Sequence, residues 1–425
     1  MTVPAPPLSD ITRVFARIGI LSFGGPAAQI ALMHKELVED RGWLTERQFL
    51  SALSFCMLLP GPEAMQLATY AGWRMAGTVG GLIAGLLFVI PGAVVIMALA
   101  ALYAGFGQVP LVTALFLGIK ATVIVIVIQA LIKVGGKALK STLAYAIAAT
   151  AFVAIFFLQL PFPLIIVAAA AIGALFMPGS AAVTAPPPPV STSGTLRTVT
   201  IWAVIWLAPL AALWLIAPDG LLTQVGLFFA KLAVVTFGGA YAVLSYMVQQ
   251  VVGDYGWLTT GQMMDALGLA ETTPSPLILV TQFVGFLAGA QQGGLALGLA
   301  AALVTLWVTF APCFLWIFAG APYLEWIAAQ PRLTGALNAI TAAVVGVILN
   351  LSLWFALHVI FAEVTATPVG PLTLWLPTLA TLSLPALVLA GLAAGLLLWR
   401  RMDMLIVLPL VALTALGWHL TLGGI

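Results

Sequence analysis

Residues 15–62 read FARIGILSFGGPAAQIALMHKELVEDRGWLTERQFLSALSFCMLLPGP, and a degenerate copy of this stretch returns at residues 229–276, a constant offset of 214 positions. The matched positions are the Phe-Gly-Gly of 23–25 and 237–239, the Gly-Trp-Leu-Thr of 42–45 and 256–259, Gln48 and Gln262, and the prolines of 60–62 and 274–276. A chance alignment would not hold one ungapped register through so many Trp, Gly and Pro residues. The second half of the chain is therefore a duplicate of the first.

Composition places the chain in a membrane. Of its 425 residues, 63% are hydrophobic and only 7% are charged, which leaves too little polar surface for a water-soluble body of this size. We therefore expect an all-α polytopic membrane protein. The formal net charge of +2 argues against a nucleic-acid partner. Cys56 and Cys313 lie in apolar runs and the three histidines are scattered, so we predict two small buried cysteines and neither a metal site nor a cofactor. The N-terminus lacks the pattern of a cleaved signal peptide, and we expect insertion through the first helices.

Each half contains two interrupted helices. The apolar segment 11–32 is broken at Gly24-Gly25-Pro26, which predicts two half-helices. The next helix starts at Thr45, with Gln48 completing a Thr-x-x-Gln capping box, and is broken at Pro60-Gly61-Pro62. The copy repeats the plan, with breaks at Gly238-Gly239 and at Pro274-Ser275-Pro276.

Outside the breaks, long apolar segments predict full spans, since crossing a hydrocarbon core takes about 20 residues. The predicted long spans are 79–103 and 111–132 in the first half, and 295–318 and 333–360 in the second. A shorter pair at 142–158 and 162–176 and two final segments at 372–399 and 404–420 complete the apolar set. In the copy the offset rises to 221 at Pro312, the counterpart of Pro91, and we place the extra residues after Gly294.

These segments give a domain plan. We predict an N-terminal repeat at 1–177, a Pro-rich cytoplasmic linker at 178–198, a connecting transmembrane helix at 199–217 and a C-terminal repeat at 218–425. The linker contains four consecutive prolines at 186–189.

The cations predict an orientation. If both broken segments of the first half enter the bilayer and return as hairpins, the Lys and Arg residues of the first half other than the intramembrane Lys120 lie on one side, which the positive-inside rule makes the cytoplasm. Crossing the single connecting helix then starts the second half from the opposite face. The two halves become inverted-topology repeats, with a cytoplasmic N-terminus and a periplasmic C-terminus. In the competing topology each broken segment spans fully, which would place Lys35, Arg41 and Arg47 outside.

The chemistry is expected at the breaks. A half-helix that begins inside the bilayer presents free N–H groups and about half a positive charge. Four such ends follow Pro26, Pro62, Ala240 and Pro276, and if they converge near the midplane they supply about +2, which suits a divalent oxyanion. Inverted repeats with broken or re-entrant helices are also the general layout of secondary transporters. The alternative is that the breaks only kink buried helices.

The predicted substrate-binding residues surround these breaks. They are Gly24, Gly25, Pro26, Pro60, Gly61, Pro62, Glu63, Gln66, Lys120, Gly238, Gly239, Thr272, Thr273, Pro274, Ser275 and Pro276. Glu63 and Glu271 are the proton-coupling candidates, although Glu63 equally fits the role of a charge that caps its helix. Lys120, whose counterpart is Thr341, is predicted either to serve the anion pathway or to pair with a carboxylate, Glu63 or Glu271. Asp265 is predicted to lie in a polar helix turn near the outer surface.

The motifs of the first half resemble those of a known family. The Phe-Gly-Gly-Pro of 23–26, the Gly-Trp-Leu-Thr of 42–45 and the Leu-Pro-Gly-Pro of 59–62 followed by Gln66 are similar to the long-chain chromate transporter family, as is the duplication. The resemblance implies a bacterial inner-membrane exporter of chromate, with sulfate as a related substrate or competitor and chromate resistance as the outcome. The second half departs from the first-half pattern at Ala240, Ser275 and Leu277, which puts a symmetric role for its residues in doubt.

Other functions stay open on the residues alone. A small-anion channel would need a continuous polar lining, and the chain has few polar residues outside the breaks. An intramembrane enzyme would need a paired acid and base or a metal cluster, and the sequence shows no such spacing. We therefore predict a transporter without enzymatic activity, surrounded by membrane lipids, as an antiporter or otherwise coupled carrier. The coupling ion and the oligomeric state, including a homodimer, stay open.

Overall fold

The computed structural model describes residues 6–22, 25–107, 109–177, 191–237, 240–272, 276–328 and 330–422, which are almost entirely helical. The first-half helices are α1 (Leu8–Leu21), α2 (Gly25–His34), α3 (Glu46–Leu58), α4 (Glu63–Phe106), α5 (Pro110–Ala138), α6 (Thr142–Phe156) and α7 (Phe162–Phe176). Those that follow are α8 (Thr192–Ile216), α9 (Leu221–Val235), α10 (Ala240–Val248), α11 (Thr260–Thr272), α12 (Val280–Gly320), α13 (Leu324–Ala328), α14 (Pro331–Ile360), α15 (Leu384–Ala394) and α16 (Met404–Leu422).

Six helical stretches among the described residues are long and apolar enough to cross a membrane. They are Glu63–Phe106, Pro110–Ala138, Thr192–Ile216, Leu277–Tyr323, Pro331–Ile360 and Met404–Thr421. The prediction of an all-α polytopic membrane protein is confirmed.

The early helices of the two halves match in register. α1, α2 and α3 end at Leu21, His34 and Leu58, and α9, α10 and α11 end 214 positions later. Both predicted capping boxes form. The Thr45 hydroxyl accepts from the Gln48 N–H at 3.3 Å while the Gln48 side chain accepts from the Thr45 N–H at 3.0 Å. The corresponding distances for Thr259 and Gln262 are 3.2 and 3.0 Å.

α4 and α12 each reverse direction at a glycine. α4 leaves helical geometry at Ala76 and Gly77, where Gly77 has φ +62°, and α12 does so at Gly293 and Gly294, where Gly294 has φ +70°. The arms on either side of the first turn touch, because a methyl group at Gly72 would lie 2.3 Å from the carbonyl oxygen of Gly80. Each helix is therefore a tight helical hairpin whose first arm is short.

These turns correct the predicted position of the extra residues in the copy. Gly77 lies 15 residues after Pro62, whereas Gly294 lies 18 after Pro276. Beyond the turns, Pro91 follows Gly77 by 14 residues and its counterpart follows Gly294 by 18. Three of the extra residues thus precede Gly294, rather than all following it. Because a helical turn takes 3.6 residues, each arm of the second hairpin is longer by about one turn, which preserves the facing sides.

The chain forms two compact units, and each unit takes segments from both halves. Unit 1 comprises residues 1–101, 179–240 and 273–334. Its core contains fully buried phenylalanines from both halves, namely Phe15, Phe49, Phe55, Phe88, Phe229 and Phe283. α1 packs directly on α4, since a methyl group at Gly19 would lie 2.0 Å from the carbonyl oxygen of Leu87.

Unit 2 comprises residues 102–178, 241–272 and 335–425. Its central helix is α5, which packs against α11, α15 and α16. The contact with α16 is close because Gly118 presents no side chain, and a methyl group there would lie 2.6 Å from the Val411 carbonyl oxygen. Small residues at helix crossings are the usual means of close packing within membranes.

The loop between α2 and α3 is strongly charged. Glu36 is buried and pairs with Arg17 at 3.5 Å and with Arg41. The His34 Nε2 atom lies 2.6 Å from a Glu46 carboxylate oxygen. The counterpart loop at residues 248–262 contains no Lys or Arg. This contrast is the basis of the predicted inverted orientation, which remains a prediction.

The C-terminal region corrects the predicted segment 372–399. Residues Val364–Val369 and Leu372–Pro377 form an antiparallel β-hairpin (β1 and β2), and the helix begins only at Leu384. Gly370 has φ +59° in the turn, and the following Pro371 cannot donate a hydrogen bond. A hairpin therefore forms where apolar content alone predicted helix. α8 begins at Thr192, inside the stretch 178–198 that was predicted as a linker.

Candidate functional site

The break between α3 and α4 is formed by residues 59–62. Leu59 leaves the helix in an extended conformation, and Gly61 has φ +115°, a region that is strained for any other residue. The Gly61 N–H donates to the carbonyl of Thr236 at 2.8 Å, at the end of α9. Within unit 1, the second break of the first half is thus bonded to the start of the first break of the second half.

Gln66 holds this break in shape. Its Nε2 donates to the Pro60 carbonyl at 2.7 Å, and the side chain is completely buried. A methyl group at Gly61 would lie 2.9 Å from this Nε2 and 3.0 Å from the sulfur of Cys313. Gly61 is therefore required both by its backbone angle and by the space available.

The first turn of α4 combines a carboxylate with backbone N–H groups that suit an anion. Glu63 is the first helical residue, half-buried, and no described residue forms an ion pair with it. Ala64 and Met65 follow, both buried, and their backbone N–H groups have no partner among the described residues. Unpaired N–H groups at the positive end of a helix attract negative charge.

α12 reaches the break through Cys313, whose sulfur would lie 3.0 Å from a methyl group at Gly61. The Cys313 thiol donates to the Thr309 carbonyl at 3.5 Å, which places both side chains one helical turn apart. The Thr309 hydroxyl oxygen is buried with no partner among the described residues. Cys56 and Cys313 are free thiols and both are buried, as predicted.

The break between α1 and α2 is described from Ser22 back and from Gly25 onward. The Ser22 hydroxyl donates to the Ile18 carbonyl at 2.6 Å, and Thr236 repeats this bond to Leu232 at 2.6 Å in the copy. Gly25 begins α2 with φ +74° in open space, and Pro26 follows in the first turn.

Three glutamines in unit 1 share one arrangement that the sequence analysis recognised only at Gln66. Gln29, Gln66 and Gln282 are completely buried, and each donates through Nε2 to a backbone carbonyl, at 3.3, 2.7 and 3.0 Å. Each Oε1 is buried with no partner among the described residues. A buried acceptor of this kind suits a water molecule or a protonated group. The sequence signal that could have predicted all three is a glutamine a few residues after a helix break.

Several predicted residues lie outside the described part of the chain. These are Gly24, Gly238, Gly239, Thr273, Pro274 and Ser275. Glu271 and Thr272 are in the last turn of α11, but their side chains are outside the description. Pro276 directly precedes a 3₁₀ turn at Leu277–Leu279 that leads into α12. The roles predicted for all of these residues remain predictions.

Lys120 and Asp265 form a buried ion pair in unit 2. The Lys120 Nζ atom lies 3.1 Å from Oδ1 of Asp265, and the two side chains are 14% and 12% exposed. The Tyr103 hydroxyl donates to Oδ2 of Asp265 at 2.6 Å. Among the described side chains, the Lys120 partner is therefore Asp265 rather than Glu63. Asp265 is buried among helices, and its predicted position near the outer surface remains a prediction.

Helix packing brings this pair together. α11 approaches α5 at Gly268, where a methyl group would lie 2.6 Å from the Ile119 side chain. Gly268 lies three residues after Asp265 and therefore on the same side of α11. The sequence did contain a signal, since Asp265 is an acid within an otherwise apolar run and Lys120 is an intramembrane base. Among the described residues, no three His, Cys, Asp and Glu side chains are arranged to hold a metal ion.

Together these features define a polytopic membrane protein with interrupted helices, buried amides at its breaks and an ion pair within its helical core. The chromate transporter family matches residues 9–174 and 223–418. The two matches begin 214 positions apart, which is the offset of the repeat. This chain belongs to the chromate transporter family.

Individual relatives agree with that assignment. The chain is 31% identical to a chromate transport protein of Pseudomonas aeruginosa over 430 residues, covering 98% of this chain and 94% of the relative. It is 31% identical to a probable chromate transport protein of Synechococcus elongatus, covering 81% and 84%. The chromate transport protein of Cupriavidus metallidurans is 30% identical, with 82% of each chain covered. No solved structure matches the chain.

Proposed function

We propose that this protein is a secondary transporter that exports chromate across the bacterial inner membrane and thereby confers chromate resistance. The observation that carries the proposal is that the family matches both halves, and each match contains the two breaks of that half. Relatives of nearly the same length are named for chromate transport.

The geometry of the breaks supports an oxyanion as the substrate. α2, α4 and the turn before α12 all belong to unit 1, and each begins at a break. Helix N-termini carry about half a positive charge each and offer N–H donors to oxygen atoms. Beside the Glu63 carboxylate, the α3–α4 break contains neutral groups such as the Gln66 amide. Neutral groups hold an anion without trapping it, as a transporter requires.

Sulfate transport without a role in resistance is the second candidate. Backbone N–H groups recognise charge and a tetrahedral arrangement of oxygens, and sulfate shares both with chromate. Nothing at the α3–α4 break distinguishes the two ions by chemistry, because the described donors there are backbone and amide N–H groups.

Uptake of labelled chromate and labelled sulfate into inverted membrane vesicles tests both candidates. Vesicles containing the protein should accumulate chromate above its external concentration, and vesicles with Gly61→Val should not. Accumulation of sulfate alone would support the second candidate and contradict the first. Accumulation that follows an imposed potential, stops at the Nernst ratio of a dianion and does not respond to a pH gradient would indicate a channel. In cells, expression of the protein should raise the chromate concentration that permits growth, and Gly61→Val should not.

The inverted topology belongs to the same proposal. The charged α2–α3 loop is proposed to face the cytoplasm, and the counterpart loop is proposed to face the periplasm. Single cysteines at Glu39 and Tyr255 in whole cells should react with an impermeant thiol reagent only at Tyr255. Labelling of both positions from outside would contradict the inverted arrangement.

Transport coupled to protons would require a titratable carboxylate within the membrane. Glu63 and Glu271 are candidates because each lies at a break, with Glu63 on the first turn of α4. Glu63 lacks an ion-pair partner among the described residues, so its charge is opposed mainly by the helix terminus.

A further inference from the structure

The buried pair of Lys120 and Asp265 includes a third residue, Tyr103. One Asp265 oxygen faces the Lys120 ammonium at 3.1 Å, and the other accepts the Tyr103 hydroxyl at 2.6 Å. All three residues lie in unit 2. Asp265 comes from the second half, whereas Lys120 and Tyr103 come from the first. The pair is not fully enclosed, since 14% and 12% of the two side chains stay accessible, although Oδ1 of Asp265 is itself buried.

α15 and α16, two of the helices that pack against α5, provide no other Asp, Glu, Lys or Arg, since residues 384–399 and 404–422 contain none. His419, near the end of α16, is their one titratable residue. On α11, Glu271 lies six residues beyond Asp265. Among the described side chains, the charge of Asp265 is therefore balanced by Lys120 and by the Tyr103 hydroxyl.

Stability alone does not account for this pair. Removing two charges from water costs several kcal/mol per ion, so a buried ion pair is on balance a weak stabiliser. The counterpart positions, Ser51 and Thr341, are uncharged, so the helices that carry them form without an ion pair at these positions. Charged residues retained inside a membrane usually have a functional task.

We propose that Asp265 is the carboxylate that couples proton uptake to oxyanion binding, with Lys120 as the cation that the two anions share. The inference rests on the proposed transport of an oxyanion. In the resting arrangement, ionised Asp265 forms an ion pair with the Lys120 ammonium, which is then not free to bind the substrate. A proton from water binds to an Asp265 oxygen and neutralises it, and the Lys120 ammonium, still charged, then pairs with an oxygen of the substrate. Release of the anion and of the proton restores the ion pair.

This competition fixes the sign of the pH dependence. Proton binding and anion binding favour the same state, so each must strengthen the other by the same factor. Anion affinity should rise as pH falls, by at most about tenfold per pH unit for one proton. A dianion that moves with one proton carries a net charge of −1, so a membrane potential that is negative inside still drives export.

The test measures proton uptake on chromate binding by the purified full-length protein, using calorimetry in buffers with different ionisation enthalpies. Wild type should take up about one more proton per bound anion than Asp265→Asn. Asp265→Asn should bind chromate at least as tightly as wild type at high pH, because the competitor for Lys120 has been removed. Chromate itself takes up a proton, and the comparison of two proteins in the same buffers cancels that contribution.

Two further variants separate coupling from a structural role. The double change Lys120→Thr with Asp265→Ser introduces the residues found at the two counterpart positions, so the variant should fold with no buried charge at this site. It should bind chromate at least about tenfold more weakly, because the Lys120 ammonium is gone. Tyr103→Phe removes a hydrogen bond that favours ionised Asp265, so it should shift the pH profile of transport towards higher pH. A purely structural pair would leave both the pH profile and the affinity of the double variant unchanged.

The outcomes that overturn the inference are specific. Equal proton uptake by wild type and Asp265→Asn would overturn it, as would loss of the coupled proton in Glu63→Gln but not in Asp265→Asn. If wild type neither binds nor transports chromate, the proposed function fails by itself. In that case the same measurements with sulfate decide whether Asp265 couples proton uptake to oxyanion binding. Sulfate binding without linked proton uptake would contradict the proposed role of Asp265.

Discussion

The α3–α4 break in unit 1 and the ion pair in unit 2 treat charge in opposite ways. At the break, the positive character comes from backbone N–H groups, which are fixed in place by Gly61 and Gln66 and cannot titrate. In the ion pair, the full charges lie on two side chains that are far apart in the sequence, and the Asp265 carboxylate can take up a proton. The comparison teaches that the break should be sensitive to shape, whereas the pair should be sensitive to charge. The variants below test that difference, beginning with the largest expected effect.

Gly61→Val should abolish transport. Gly61 has φ +115°, and a methyl group would meet Gln66 and Cys313 within 3.0 Å. The backbone strain is about 1–3 kcal/mol, and overpacking adds about 1–3 kcal/mol. A loss of about 3 kcal/mol at the site lowers a rate more than a hundredfold. Initial chromate uptake into vesicles, normalised to protein abundance, measures the effect.

Gly25→Ala is the matched control for that change. Gly25 also has a positive φ, +74°, but no atom lies within 4 Å of the added methyl group. Its cost should be limited to about 1–2 kcal/mol of backbone strain. Transport should therefore fall less than in Gly61→Val. Wild-type transport by Gly61→Val would show that this break is only a kink.

Lys120→Gln should raise the KM for chromate by at least about tenfold, which corresponds to 1.4 kcal/mol. Lys120→Arg keeps the charge and should retain part of the activity, although its geometry differs. Charge rather than size should thus rank the variants. Vesicle uptake at matched abundance measures both.

Lys120→Gln should also lower abundance, because it leaves Asp265 buried without its cation. Removing one member of a buried pair typically costs about 3–5 kcal/mol. The double variant Lys120→Gln with Asp265→Asn should therefore recover expression but not substrate affinity. Full activity in Lys120→Gln would remove this residue from the substrate pathway.

Gln66→Leu should lower both thermal stability and transport. It removes the donor to the Pro60 carbonyl, and an unsatisfied buried carbonyl costs about 1–3 kcal/mol. Gln282→Leu is the control, because Ala93 lies within α4 and its carbonyl keeps a helical donor. Thermal unfolding and uptake measure both variants. Equal losses of transport in the two would indicate that Gln66 has no special role at the break.

Thr45→Ala and Thr259→Ala should have the smallest effects, and the two should be alike. Each removes the hydroxyl of a capping box, at a cost of about 1 kcal/mol. Thr113→Ala, an exposed threonine that caps no helix N-terminus, should cost less. Thermal unfolding should rank the three variants in this way, with uptake per molecule unchanged. A large difference between Thr45→Ala and Thr259→Ala would mean that the two halves do not use this start signal equally.

The predictions from sequence succeeded where the interactions are local. The caps at Thr45 and Thr259 join residues three apart, and the breaks at Pro60 and Pro62 follow from the missing N–H of proline. The β-hairpin at 364–377 was missed because apolar content alone does not separate strand from helix. Its Gly-Pro turn and alternating threonines were the available signal.

The ion pair was predicted only in part, since Lys120 was recognised as a charge in need of a partner but was assigned the wrong one. Asp265 is 145 residues away in sequence, and several carboxylates were equally eligible. The positions of Glu63, Asp265 and Glu271 in the sequence do not predict which of these carboxylates will pack against Lys120 on α5. The choice depended on the close approach of α11 to α5 at Gly268.

The sequence by itself determined the membrane class, the duplication, the positions of the breaks and the helix caps. These features depend on overall composition and on hydrogen bonds between residues close together in the sequence. The tertiary structure alone decided that Gly61 bonds to Thr236, that Cys313 lies against Gly61, and that Asp265 pairs with Lys120. These contacts join segments more than a hundred residues apart. They exist because each compact unit packs helices from both halves. The packing depends on small residues where helices cross, and the sequence does not show which two helices meet at a given small residue.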